Sequence, residues 1–99
     1  CTAPATAAAS ADTVMDVMRE FYADEPFVAV INGPPQTKSV MGSNAAHVSA
    51  RYDERTGTVL AMCAIDNLTK GASGGAVQAA NVALGLDEGA GLTTVGVAP

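Results

Sequence analysis

Few side chains in this sequence could do chemistry. Cys1 and Cys63 are its two thiols and His47 its one imidazole. A thiolate nucleophile needs a nearby cation or base to lower its pKa. Cys63 stands in the apolar run Thr-Val-Leu-Ala-Met-Cys-Ala-Ile with no base near it in sequence, so we expect a buried, inert thiol. His47 falls on the polar side of an alternating segment, where a surface or interface histidine is the plain reading. Asp12, Asp16 and Glu20 recur at helical spacing, which reads as a solvated face rather than a metal site. The two cysteines have no metal-type spacing, and no Gly-rich phosphate loop follows a strand. Asp66-Asn67 is more informative. It stands where an apolar run gives way to Gly71, Gly74 and Gly75. A helix start presents free amides and a positive dipole end. An Asn there can offer a flat carboxamide both a donor and an acceptor. An ordinary N-cap is the plainer account of the pair, but a cap does not require the glycines.

The elements around that corner follow from pattern. The first nine residues are small and Pro-containing, and could end a strand begun upstream. Ser10 offers an N-cap with Asp12 in the first turn. Val14, Val17, Met18 and Phe21, at i, i+3, i+4 and i+7, predict an amphipathic helix ending near Asp24, before Pro26. Residues 27–31 are a predicted strand and 32–35 a turn; 37–41 read as another extended piece and 42–44 as polar and flexible. From Ala45 the period becomes two. Ala46, Val48, Ala50 and Tyr52 face one way, and His47, Ser49, Arg51 and Asp53 the other, a half-exposed strand. A hairpin loop at 53–57 leads into 58–65, apolar on both faces and so read as a central, doubly covered strand. Asp66-Asn67 then caps a helix over 68–86, and 92–97 close as a short extended piece. The fold class is α+β: an antiparallel or mixed sheet with one packing helix, plus a C-terminal Gly/Ala-rich helix.

That last helix is odd. Each of its three early glycines costs about 1 kcal/mol against alanine, and Ala72, Ala76, Ala79, Ala80 and Ala83 leave it slim. Such a helix gains only if a backbone or a flat ligand comes very close.

Composition bounds the rest. The chain has 99 residues, 48% apolar and 15% charged, which excludes a disordered polar segment and allows one small domain. With Phe 2, Tyr 2 and Trp 0, its core is built of small side chains. Ordering costs roughly 1.5 kcal/mol per residue, so we expect a chain marginal alone and part of something larger. The net charge is -5, and Arg19, Lys38, Arg51, Arg55 and Lys70 are scattered, which argues against nucleic acid. The apolar runs are too short for a membrane span. Cysteine usage points to a reducing, cytoplasmic setting. The sequence opens on Cys1 without a signal-peptide pattern, as expected of a fragment or a processed chain.

The run Ala64-Ile65-Asp66-Asn67-Leu68-Thr69-Lys70-Gly71-Ala72-Ser73-Gly74-Gly75-Ala76-Val77-Gln78-Ala79-Ala80-Asn81 strongly resembles the C-terminal signature of N-acetyl-gamma-glutamyl-phosphate reductases. Aspartate-semialdehyde dehydrogenases carry a similar Asp-Asn-Leu-x-Lys-Gly-Ala helix. Tyr22-Ala23-Asp24-Glu25-Pro26-Phe27-Val28, Val40-Met41-Gly42-Ser43-Asn44, and Gly85-Leu86 through Gly96-Val97-Ala98-Pro99 agree as well, so the resemblance covers essentially the whole chain. Thr69, Ser73 and Gly75 depart from the commonest residues and leave the slim helix intact.

The resemblance implies a several-fold longer enzyme. It reduces N-acetyl-gamma-glutamyl phosphate with NADPH to the semialdehyde and phosphate, a step in arginine biosynthesis. A Rossmann-type cofactor domain is joined to a glyceraldehyde-phosphate-dehydrogenase-like α+β domain. Residues 1–66 are then the later half of the α+β catalytic and dimerisation domain, and 67–99 the helix and tail that return to the cofactor domain. Asn67, with Gly71 beside it, is implied to meet the NADP nicotinamide. The implied partners are the remainder of the reductase chain and further copies, as a dimer or tetramer. The family's Asn-Pro-Gly-Cys-Tyr-Pro-Thr-like cysteine motif and Pro-His-Leu-like histidine motif are both absent. Cys1, Cys63 and His47 therefore inherit no catalytic role, and the expected chain alone is inactive. A non-enzymatic dimerisation or regulatory module of the same shape is the alternative.

Overall fold

The computed structural model describes residues 1–6 and 8–97. Strand β1 (Thr2–Pro4) leads to helix α1 (Ala11–Phe21), strand β2 (Val28–Val30), a single-turn helix α2 (Thr37–Val40) and the hairpin β3 (Ala46–Asp53) and β4 (Thr58–Ile65). A π-helical turn (Thr69–Ser73) then runs into α3 (Gly74–Ala83). The sheet is mixed, in the order β1-β4-β3-β2. β1 pairs with β4, and β4 with β3, antiparallel; β2 lies parallel to β3. The α+β class and the C-terminal helix match the pattern reading.

Helix α1 begins as expected. Ser10 Oγ accepts from the Thr13 amide at 3.2 Å and Thr13 Oγ1 accepts from the Ser10 amide at 2.7 Å, a reciprocal cap. Its buried residue is Met15, whose Sδ lies 3.4 Å from the Ala50 amide. Val14, Met18 and Tyr22 are half-buried beside it, whereas Val17 and Phe21 are exposed. The apolar face is thus rotated toward Met15, a residue the i, i+3, i+4, i+7 reading passes over. The helix also stops at Phe21, earlier than the proline alone requires. A groove of about 600 Å³ opens between α1 and the sheet, lined by Pro4, Val14, Val17, Met18, Ala50 and Ala61.

Five expectations about the sheet and its loops need correction. Of residues 37–41, expected to be extended, Thr37–Val40 are helical and turn the chain so that Val40 enters the core with Ala45 and Ala64. The 42–44 segment is not a loose loop: Ser43 and Asn44 are fully buried. Ser49, assigned to a wet face, is fully buried too, since Met15 lies against it. β4 is central in the sheet but not covered on both faces, for Cys63 and Ile65 are exposed and its other residues except Ala64 are half-buried. The tail at 92–97 forms no strand. It lies along the 41–44 loop, where Thr93 O accepts from the Asn44 amide at 2.8 Å and Met41 O from the Val97 amide at 2.8 Å. No helix of the described residues is long and apolar enough to cross a membrane.

Candidate functional site at the strand-to-helix corner

Local chemistry at the end of β4 builds the corner. The Asp66 carboxylate is its centre. Oδ1 accepts from the Leu68 amide at 2.8 Å and the Thr69 amide at 2.7 Å, and Oδ2 from the Gly42 amide at 2.9 Å. One oxygen caps the helix; the other ties it to the 42–44 loop. The Gly42 amide above all, then the Thr69 and Leu68 amides, hold the Asp66 carboxyl below the usual carboxylate range, because each bond favours the charged form. Asp66, not Asn67, is therefore the cap. Asn67 is exposed, and its side chain makes no hydrogen bond with any described residue.

The helix opens one residue per turn too wide. The Gly71 amide donates to Asp66 O at 2.9 Å and the Ser73 amide to Leu68 O at 3.0 Å, both five residues back. This geometry accounts for two of the glycines. A Cβ on Gly75 would stand 2.7 Å from Lys70 O. One on Gly74 would stand 2.9 Å from Thr69 O and 2.4 Å from Asn44 Oδ1. Gly74 and Gly75 thus answer to close approach by this chain's own atoms, rather than by an outside partner. A Cβ on exposed Gly71 would meet Asp66 O at 3.3 Å, Asn67 Oδ1 at 3.4 Å and Ile65 Cδ1 at 3.5 Å, so this glycine too is crowded by the chain's own atoms.

A polar network holds the other side of the corner. Gln78 Oε1 accepts from Asn44 Nδ2 at 2.9 Å and from Lys70 Nζ, while Gln78 Nε2 donates to Glu88 Oε1 at 2.7 Å. The ammonium can only donate and the carboxylate only accept. They fix the Gln78 amide, which in turn forces Asn44 to present its NH₂ and leaves buried Asn44 Oδ1 unpaired against Gly74. Lys70 also sits 5.5 Å over the Phe27 ring. Asn81 Nδ2 donates to Glu88 O at 3.1 Å and Ala90 O at 3.0 Å, so the tail folds back on α3. Pattern reading missed Asn44, Gln78 and Asn81 as anchors. Their signal was present: Gly74, Gln78 and Asn81 fall at i, i+4 and i+7 of an otherwise apolar helix.

The groups weighed for catalysis are not brought together. Cys1 and Cys63 are both exposed, which corrects the buried reading of Cys63; the open face of β4 is the cause. His47 pairs with Ala64, while Cys63 pairs with Val48, so imidazole and thiol lie on opposite faces of the hairpin. Among the described residues no cluster of three or more His, Cys, Asp or Glu could hold a metal ion. What the corner offers is a carboxamide that bonds no described residue and a slim helix start with Gly71 exposed on it.

Known proteins resemble this chain closely. Residues 1–67 match the family model described as semialdehyde dehydrogenase, dimerisation domain. A protein of Corynebacterium glutamicum named N-acetyl-gamma-glutamyl-phosphate reductase is 51% identical over 100 residues, covering 99% of this chain and 29% of its own length. One of Streptomyces coelicolor with the same name is 52% identical over 101 residues, covering 100% of this chain and 30% of its own. One of Paenarthrobacter aurescens, also so named, is 60% identical over 80 residues, 79% of this chain and 23% of its own. The chain spans about 30% of the length of the first two relatives.

Proposed function

Since the chain belongs to the semialdehyde dehydrogenase dimerisation-domain family, we propose that it is the C-terminal portion of an NADPH-dependent reductase of N-acetyl-gamma-glutamyl phosphate, acting in arginine biosynthesis in the cytoplasm. In this reading residues 1–66 complete the α+β domain that carries dimerisation, and 67–99 return to the cofactor domain. The observation that carries it is the Asp66-Asn67 corner itself: an exposed Asn whose carboxamide bonds no described residue, at the start of a glycine-rich helix. These residues fit a nicotinamide carboxamide. Asn67 would accept from its NH₂ and donate to its oxygen, with the exposed backbone of Gly71 beside it.

Bound NADPH supplies the hydride. This chain's residues bind and orient; the thiolate and the acid-base histidine that such a reduction needs lie outside it. Exposed Cys63 and Ile65 on β4 favour a covered sheet face in a homo-oligomer. The test is direct. The complete polypeptide should reduce the acyl phosphate with NADPH, Asn67→Ala should weaken NADPH binding or hydride transfer, and this chain alone should show no turnover. A complete polypeptide without reductase activity favours the non-enzymatic module instead.

A further inference from the structure

Resting on that reading of Asn67, we propose that Asp66 is a positioning residue that holds the Asn67 carboxamide at the cofactor by locking the strand-to-helix corner to the 42–44 loop. The Asn67 side chain has no hydrogen bond with any described residue to fix it. Its place is set by its neighbours, and Asp66 controls them. Through Oδ1 it fixes the amides of residues 68 and 69, closing a turn with Asn67 at its middle. Through Oδ2 it joins that turn to the Gly42 amide, 24 residues away in sequence.

The loop it grips is itself immobilised. Gly42 takes a φ of +74°, open to glycine, and the Val97 side chain closes to 3.1 Å of where a Cβ would be. Asn44 is held by Thr93 O through its amide and by Gln78 through its side chain. Because Gln78 stands on α3, the path Asp66–Gly42–Asn44–Gln78 returns to the helix that Asp66 caps. A closed ring of this kind resists hinge motion at the corner more than a cap alone does.

The chemistry of Asp66→Asn separates the two oxygens. An amide keeps one acceptor for the helix cap but cannot accept at both positions, so one bond to the turn or the loop is lost. The experiment is a double-mutant cycle in the complete polypeptide, reading the NADPH dissociation constant by fluorescence titration. Asp66→Asn is expected to raise that constant at least about five-fold on its own, and to change nothing further in an Asn67→Ala background. The melting temperature should fall equally in both backgrounds, which separates positioning from general loosening. If Asn67→Ala weakens binding while Asp66→Asn has no effect or an additive one, the positioning role is overturned and the Asn67 reading stands. If Asn67→Ala has no effect, both fall. Should Asp66→Asn not fold, Asp66→Glu, which keeps the charge and displaces it by one methylene, runs the same cycle with a smaller expected loss.

Discussion

Helices α1 and α3 are held in opposite ways. α1 carries its own instructions: the reciprocal Ser10–Thr13 cap, Asp12 in the first turn, and Met15 turned into the sheet. α3 carries almost none. It has no side-chain cap at Ser73 and no acid in its first turn. The turn before it is fixed by Asp66 from the strand behind, and its one polar stripe is spent on Asn44, Glu88 and the tail. Local instructions make a helix wherever the core allows. Borrowed ones make a helix that responds to everything it touches.

The sharpest way to break this contrast is Gly74→Ala. In an ordinary helix the change stabilises by about 1 kcal/mol. Here the added Cβ meets a buried carbonyl 2.4 Å away and a backbone oxygen at 2.9 Å. Overpacking of that kind outweighs the propensity gain, so a net loss of about 2–3 kcal/mol is expected in urea unfolding. A stabilised variant would mean that α3 is as self-sufficient as α1. Gln78→Ala comes next. It strands the buried Asn44 amide, and a loss of about 2 kcal/mol is expected by the same measurement. Ser10→Ala tests the other side of the contrast. Losing a local cap should cost about 1 kcal/mol and leave NADPH affinity untouched. Cys63→Ser, at an exposed site, should shift stability by less than about 0.5 kcal/mol in the monomeric state.

Acid titration sharpens the comparison further. Asp66 is held below the usual carboxylate range, so its contribution is present above the unfolded value of about 3.9 and is lost as pH falls through the lower folded value. The stability gap between the natural chain and Asp66→Asn should be constant near neutral pH and close only in strong acid. A gap that closes between pH 6 and 8 would assign the effect to another group.

What pattern could and could not reveal follows the same division. The hairpin was legible because period two from Ala46 to Asp53 and the turn at 53–57 are local signals, and the register follows from them. The Ser10 cap was legible for the same reason. The face of α1 was misjudged by one position because Met15 fits beside Ser49, a contact 34 residues apart that no window contains. Residues 42–44 read as flexible because Gly-Ser-Asn is turn chemistry; the burial of Ser43 and Asn44 comes with α3 and the tail closing over them. Glycines 74 and 75 were correctly read as marks of close approach, but which surface approaches is a tertiary fact. At Gly74 it is Asn44 of the chain's own loop together with Thr69, and at Gly75 the Lys70 carbonyl of the preceding turn.

The most direct test of the central claim is hydrogen exchange on the complete polypeptide with and without NADPH. If the start of the C-terminal helix faces the cofactor, amides in residues 67–75 should exchange more slowly when NADPH is bound, while those of the 53–57 hairpin turn stay unchanged. Exchange across 67–75 that ignores NADPH at saturating concentration would contradict the assignment of this corner to the nicotinamide.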